Sequence, residues 1–516
     1  MLKMKNKVMI GCALVLLLVM GGIFVWVKIS APPGEEWIAY QNEALIASID
    51  QQLEGMDMET LMADKERLVL ERDIGELQLA VERGELSYEE ITAIYLYRIR
   101  TLDQGYHGYN SVIEIAPDAL KQARARDEAR ARRIAAGEKL PLLYGIPVMF
   151  KDNINTKDMP TSAGAAAFAE FIPDEDAELV HELREQECVI LGKNNLSEFA
   201  YYVSSKMPSG YSGKKGQTVN PFGPLKISPS GSSSGSAVAV TANLVPVSIG
   251  TETAGSIVGP AAVNSVVGFK PSRESMPREG IFPLIRAVDT PGPITKTVRD
   301  AAIVYAALSG EAIPSELDRA ALSRASVGLI VYDYNDEAAI QMLRSSLETA
   351  GARIVDVSMD QMDIQVQTII ERTFKRDFEE FAQHYGLPIT RLEALIQFNR
   401  EDIKRRAKYG QDNLEAANAI EVPDDTPIQS SIVNAQEKLD TLLSDMELDA
   451  IVFLNTTVST TVSAAGYPEL TVPLGVNNKG VPQGATFAAG RGEDIKLLNL
   501  GYAFEQTIQG RHVPKE

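Results

Sequence analysis

The chain has 516 residues, of which 45% are hydrophobic and 23% are charged, and its formal net charge is −20. The composition is ordinary for a globular protein, and the length suffices for one large domain or several small ones. A surface this acidic repels phosphate backbones, which argues against nucleic acid as a partner. Two cysteines and four widely spaced histidines predict neither a disulfide framework nor a metal site.

The N-terminus is basic and then apolar. Lys3, Lys5 and Lys7 precede an unbroken apolar run over residues 8–27, which is long enough to cross a bilayer as a helix. We expect residues 1–30 to form a retained signal anchor, with the lysines in the cytoplasm. The chain would then be a single-pass protein of the cell membrane with an extracytoplasmic domain. Secretion after cleavage of a signal peptide is the alternative.

A stalk, or the first helix of the main domain, is predicted for residues 31–64, which are rich in Glu and Leu. A clear helix then starts at Ser87, because Ser87 and Glu90 have the spacing of a capping box. A further helix, rich in Ala and Arg, is predicted for residues 117–136.

Short apolar runs bounded by Gly, Pro or charged residues follow, and helical stretches separate several of them. This pattern is typical of a sheet that helices bury on both faces. The predicted strands are residues 145–150, 188–191, 244–249, 266–269, 327–331, 354–357, 450–454 and 470–474. Residues 363–419 are predicted to be helices that cover the sheet. No linker interrupts these parts, so we predict one large α/β domain over residues 65–516.

A run of five serines and two glycines occupies residues 230–236. Such a composition is common in flexible linkers, but this run leads directly into apolar sequence. Glycines beside a strand allow tight turns whose N–H groups bind an anion, and a serine there can act as a nucleophile if a base takes its proton. A buried lysine can be that base. Lys151, Lys193 and Lys270 each end an apolar run, so the residues alone leave three candidates.

Several motifs in a fixed order resemble the amidase signature family. They are GIPVMFKDNINT, SPSGSSSGSAVAV, GTETAGSIVGPAA, VVGFKP and DTPGPITKTVRDAA within residues 70–310, and AAGYPELTVPLGV and GYAFEQ near the C-terminus. The resemblance implies the amidase signature fold, a mixed central sheet covered by helices, here preceded by one transmembrane helix. It also implies hydrolysis of a carboxamide to a carboxylate and ammonia or an amine, without a metal or cofactor.

Carried over motif by motif, the resemblance implies a Ser-cisSer-Lys triad. The nucleophile would be Ser256 in TAGSI, the bridging serine Ser232, and the base Lys151 in FKDN. Neutral Lys151 would take a proton from Ser232 while Ser232 takes one from Ser256, which attacks the amide carbonyl. The backbone N–H groups of four residues would form the oxyanion hole, namely Thr253, Ala254, Gly255 and Ser256.

The stretch over residues 195–221 resembles the peptide-amidase branch, which releases ammonia from C-terminal peptide amides. Val258 stands where an arginine is common in the family, which argues against the subgroup that serves tRNA-dependent glutamine synthesis. Two alternatives stay open, a hydrolase of lipid amides held at the bilayer through residues 8–27 and a catalytically silent binding protein. The identity of the amide, the oligomeric state and the role of the helical region 363–430 are not predicted.

Overall fold

A mixed sheet of 11 strands forms the centre of the fold. The computed structural model describes residues 34–40, 42–105, 107–314, 316–359 and 364–515. The strand order in the sheet is β1-β3-β2-β6-β8-β7-β12-β13-β11-β9-β10, and β4 and β5 form a separate pair. The strands are β1 (Val112–Ile115), β2 (Pro147–Lys151), β3 (Val189–Asn194), β4 (Tyr211–Ser212), β5 (Gly216–Gln217), β6 (Val247–Glu252), β7 (Val267–Lys270), β8 (Thr290–Thr295), β9 (Ser326–Ile330), β10 (Arg353–Val357), β11 (Ala450–Leu454), β12 (Glu469–Val476) and β13 (Pro482–Ala488).

Helices precede the sheet, connect its strands and cover it. In the first half of the chain they are α1 (Glu43–Gln52), α2 (Met58–Lys65), α3 (Ile74–Glu82), α4 (Tyr88–Arg98), α5 (Ala119–Ala135), α6 (Glu178–Glu185), α7 (Glu198–Tyr201), α8 (Ser234–Thr241) and α9 (Val258–Val263). In the second half they are α10 (Val298–Ser309), α11 (Glu337–Thr349), α12 (Val366–His384), α13 (Leu392–Glu401), α14 (Ile403–Arg406), α15 (Asp412–Asn418), α16 (Thr426–Asp445), α17 (Ser459–Ala465) and α18 (Asp494–Ile508).

The arrangement of three neighbouring strands, β2, β6 and β8, brings together the motifs GIPVMFKDNINT, GTETAGSIVGPAA and DTPGPITKTVRDAA. Strand β2 runs parallel to β6, with Val148 opposite Val247. Strand β8 runs antiparallel to β6, with Glu252 opposite Thr290. The carboxyl ends of β2 and β6 and the amino end of β8 therefore lie at one edge of the sheet, where ligands bind in open α/β folds.

The helical region that follows β10 covers part of this edge. Helix α12 packs Phe374 against Phe199 and Phe378 against Phe282, with ring centroids 6.1 and 5.8 Å apart. These rings belong to an aromatic cluster separate from the main core. The prediction of covering helices in this region is confirmed by α12, α13, α14 and α15.

Most predicted elements are confirmed, and the differences lie at their ends. Ser87 caps α4 and forms the expected capping box with Glu90. Helix α11 joins the parallel strands β9 and β10 in a βαβ unit, and both strands overlap the predicted ones. The strand predicted over residues 244–249 is instead Val247–Glu252, because the apolar run before Val247 belongs to the turn after α8. The prediction had ended at the last apolar residue and so missed the polar end of the strand.

One part of the predicted fold class is corrected. Within the described ranges, no helix combines the length and apolar character needed to cross a membrane. The predicted anchor, residues 1–30 with its apolar run over 8–27, lies outside the described residues. Of the predicted fold class, the structure supports the α/β domain, and the described residues support neither the predicted transmembrane helix nor the predicted localisation in the cell membrane. Helix α1, in the segment predicted as a stalk or first helix, buries Leu45 and Ile49 in the main core.

Candidate active site

Lys151 is the last residue of β2 and is completely buried. Its strand lies between β3 and β6 in the interior of the sheet. Three oxygens surround the amine: Nζ contacts Ser232 Oγ at 2.7 Å, Thr251 Oγ1 at 2.8 Å and the Thr251 carbonyl at 3.1 Å. The predicted base and bridging serine are therefore in direct contact.

The environment of Lys151 favours the neutral amine. Burial lowers its pKa from 10.5 to about 7, although the charges of Asp289 and Glu252 oppose this shift. Burial without a close counter-ion raises the free energy of the charged ammonium group, so the proton is released more easily than in water. Within the described residues, no carboxylate lies within ion-pair distance of Lys151 Nζ.

The two rival lysines have different partners. Lys193 Nζ lies 3.1 Å from Asp152 Oδ1 and donates to Thr161 Oγ1 at 2.6 Å. Lys270 Nζ donates to the Tyr467 carbonyl. Lys193 thus belongs to a buried ion pair, and among the contacts of the described residues only Lys151 of the three lysines reaches the serine run.

The serine run forms a turn followed by a buried helix. Residues 234–241 form α8, whose residues are all buried, so the run is part of the core and not a linker. The peptide bond between Gly231 and Ser232 is cis. A Cβ on Gly231 would come within 2.4 Å of Ser197 Oγ, so only glycine fits there. Ser232 itself is fully buried.

A backbone contact joins this turn to the segment that carries Ser256. The N–H of Ser233 donates to the carbonyl of Ser256 at 3.2 Å, and Ser233 Oγ donates to the Thr251 carbonyl at 3.1 Å. Ser256 is only partly buried, which leaves it accessible. In the described part of the chain, no hydrogen bond links Ser256 Oγ directly to Ser232 Oγ.

Residues 253–256 form a loop between β6 and α9. None of their four backbone N–H groups donates to an acceptor within the ranges that the structure describes. Gly255 has a φ of +90°, in the region that glycine alone adopts easily. Thr253 Oγ1 donates to Asp289 Oδ1 at 2.5 Å. The loop thus presents free donors while one of its side chains is held in place.

Sequence reasoning missed four residues that hold this arrangement. Thr251 accepts hydrogen bonds from Lys151 and, at 3.1 Å, from Asn153 Nδ2. Glu252 accepts from the two N–H groups after Ser256, and Asp289 accepts from Thr253. Thr251 and Glu252 lie in GTETAGS, Asn153 in FKDN and Asp289 in DTPGP. Their positions inside the motifs could have marked them as candidate site residues, but only the tertiary contacts show which group each of them holds.

Comparison with known proteins identifies the family. The sequence model of the amidase family matches residues 90–498. The chain belongs to the amidase family. A probable amidase of Arabidopsis thaliana is 34% identical over 479 residues, which cover 87% of this chain and 92% of that protein.

Two solved structures of amidases are similar to this one throughout the fold. An amidase family protein from Bacillus anthracis str. Ames has 40% sequence identity and a TM-score of 0.89, covering 94% of this chain and 100% of that one. A peptide amidase from Stenotrophomonas maltophilia has 37% identity and a TM-score of 0.80, covering 86% of this chain and 99% of that one. The resemblance seen in the sequence is confirmed, and this amidase is an enzyme that hydrolyses amides.

Proposed function

We propose that this amidase hydrolyses the C-terminal amides of peptides through a triad of Lys151, Ser232 and Ser256. The observation that carries the triad is the contact between the buried Lys151 amine and Ser232 Oγ at 2.7 Å. A lysine in that environment can take a proton from a serine near neutral pH, which the usual lysine cannot.

The hydrogen bonds around Lys151 suit a neutral amine in this role. A neutral amine has two N–H groups and one lone pair, and Thr251 provides two oxygens within 3.1 Å of Nζ. When both N–H groups point at Thr251, the lone pair points at Ser232 Oγ. Thr251 thereby orients the base toward the hydroxyl whose proton it accepts.

The reaction follows from this geometry. Lys151 takes the proton of Ser232 as Ser232 takes that of Ser256, and Ser256 Oγ forms a bond to the amide carbon. The free N–H groups of residues 253–256 stabilise the oxyanion, and losing one such donor lowers the rate by on the order of 10²–10³. The relay then protonates the leaving ammonia, and water hydrolyses the acyl-enzyme.

The choice of peptide amides is supported by the similarity to the Stenotrophomonas maltophilia peptide amidase and by the stretch over residues 195–221. The lipid-amide alternative depended on the predicted anchor, which lies outside the described residues. No contact in the described part of the chain favours it, so it enters only as an outcome of the assay.

The test is release of ammonia by the full-length protein from peptide C-terminal amides, simple aliphatic amides and long-chain fatty amides. We expect release from the peptide amides, and none by the Ser256→Ala variant. Ser236→Ala is the matched control, because Ser236 lies in the same serine run and its buried hydroxyl has no partner among the described residues. Activity that survives in Ser256→Ala would refute the triad, and release from fatty amides alone would refute the proposed substrate.

A further inference from the structure

A buried carboxylate lies directly behind the segment that carries Ser256. Glu252 is 1% exposed, and its Oε2 accepts the backbone N–H of Ile257 at 2.6 Å and of Val258 at 3.0 Å. These two residues follow Ser256 in the chain. Because both N–H groups point at one oxygen, the Glu252 side chain fixes the direction in which the backbone leaves Ser256.

A second buried carboxyl group shares a hydroxyl with the first. Ser463 Oγ lies 2.9 Å from Glu252 Oε1 and 3.0 Å from Glu469 Oε1. A serine hydroxyl has one proton and can donate to only one of these oxygens. The other contact is a hydrogen bond only if that carboxyl group is protonated and donates to Ser463. Two full hydrogen bonds at Ser463 therefore require a proton on one of the two glutamates.

The surroundings indicate which of the two is protonated. Glu252 accepts two backbone N–H bonds, which favour the ionised form. Burial alone would raise the pKa of Glu252, but the charge of Lys270 and the backbone N–H groups of Ile257 and Val258 lower it. Burial and the charge of Glu252 raise the pKa of Glu469. Lys270 is opposite Glu469 in the pairing of β7 with β12, so its positive charge lies beside the two carboxyl groups and matches a single negative charge on the pair.

We propose that Glu252 is a positioning residue for Ser256, and that protonated Glu469 donates through Ser463 so that the buried pair carries a single negative charge. This inference rests on the proposed function, in which Ser256 is the nucleophile. Glu252 touches neither the substrate nor the reacting atoms, and it acts through the backbone of Ile257 and Val258.

The test measures how fast a fluorescent fluorophosphonate labels Ser256 in the full-length protein. Glu252→Gln removes the negative charge that attracts the N–H groups of Ile257 and Val258. Ser256 is then held less firmly, so we expect labelling to slow by on the order of 10²-fold. The turnover number kcat should fall by the same factor while KM stays near its wild-type value. Glu469→Gln should label and turn over like the wild type, because a neutral amide replaces a neutral acid of the same shape.

Glu505→Gln is the matched control. Glu505 also accepts a backbone N–H at the start of a helix, from Val298 at 2.8 Å, but within the described structure no hydrogen bond joins it to the proposed site. We expect this variant to lose thermal stability while labelling at the wild-type rate. Labelling of Glu252→Gln at the wild-type rate would overturn the positioning role, and Glu469→Gln as slow as Glu252→Gln would overturn the shared proton.

If Glu252→Gln does not fold, an infrared measurement still tests whether Glu469 is protonated. The spectrum of the wild type minus that of Glu469→Gln should show the carbonyl stretch of a protonated carboxyl group at neutral pH, and absence of this band would overturn the inference. Failure of the proposed function has a different signature, because the wild type itself would then take up no label that depends on Ser256.

Discussion

The hydroxyl of Thr253 donates a hydrogen bond to Asp289, which lies 36 residues later in the chain. The same carboxylate accepts the N–H groups of Leu284 and Ile285 at 2.7 and 3.0 Å. One side chain thus joins the loop that carries the proposed oxyanion donors to the loop that packs under the covering helices. The position of the donors depends on a contact that neither motif contains by itself.

Thr253→Val should therefore impair catalysis while leaving the fold intact. The valine has the same shape but no hydroxyl, so the loop loses its connection to Asp289. We expect kcat to fall by about tenfold, the effect of one lost hydrogen bond, with little change in KM. Steady-state kinetics on a peptide amide measure this. Thr253→Ser keeps the donor and should restore most of kcat; a serine variant as slow as the valine variant would contradict the role of the hydroxyl.

The pH dependence of the reaction should follow Lys151. The base works only when it is neutral, and its pKa is lowered by burial to about 7. We expect kcat/KM to be constant above this value and to fall by about tenfold per pH unit below it. A profile of log kcat/KM against pH measures the inflection. A profile without an inflection near neutral pH would contradict a lysine base.

Lys151→Met should be inactive and yet more stable than the wild type at neutral pH. In the unfolded chain the lysine keeps its proton up to pH 10.5, whereas in the fold burial lowers the pKa to about 7. Between these values the unfolded state binds more protons, so wild-type stability rises with pH across this window. The advantage of the methionine variant should be on the order of a few kcal/mol near pH 7 and should shrink toward pH 10.

Urea unfolding of the two proteins near pH 7 and near pH 9 measures this difference. The two Thr251 oxygens that lose Lys151 are not left without partners, because Oγ1 still accepts from Asn153 and the carbonyl from Ser233. A methionine variant that is less stable than the wild type at both pH values would show that the hydrogen bonds of Lys151 outweigh the cost of burying it.

Gly255→Ala should abolish most activity through the shape of the oxyanion loop. Gly255 has a φ of +90°, and a Cβ there would lie 3.3 Å from Thr456 Cγ2. An alanine destabilises such a backbone by about 1–2 kcal/mol, and the resulting shift of the N–H groups should lower kcat by on the order of 10²-fold.

Gly480→Ala is the control for that substitution. Gly480 also has a positive φ, of +75°, but no atom lies within 4 Å of the Cβ that alanine would add. Thermal unfolding should show a loss of stability in both variants, whereas kcat should fall only for Gly255→Ala. Equal activity of the two variants would mean that the loop tolerates an alanine and that its N–H groups are not critically placed.

Local patterns predicted the elements well where one strong local signal sets a boundary. The capping box at Ser87 placed the start of α4, and the apolar run over residues 450–454 coincides with β11. The boundary of β6 was wrong by three residues, since its final residues Gly250, Thr251 and Glu252 are polar or small. These residues are buried because the sheet is covered at that point, and hydrophobicity along the chain does not show that.

In the candidate site, too, the local sequence predicts one part and the tertiary contacts decide the rest. Three lysines end apolar runs, and nothing in the residues themselves separates Lys151 from Lys193 and Lys270. Resemblance to the family selected Lys151. The structure adds the physical difference, which is that Lys193 faces Asp152 and Lys151 faces Ser232 and Thr251.

The amino-acid sequence by itself determined the α/β class, the covering helices and, through its motifs, the family. These properties depend on local periodicity, helix caps and turn residues, and each of these is determined by residues that are close together in the chain. Only the tertiary structure decided which side chains meet at the edge of the sheet, because the contacts of Lys151 with Ser232, Thr253 with Asp289 and Glu252 with Ser463 join residues 81, 36 and 211 positions apart. A pKa or a free N–H group depends on such neighbours, so the chemistry of the site appears only once the strands have paired.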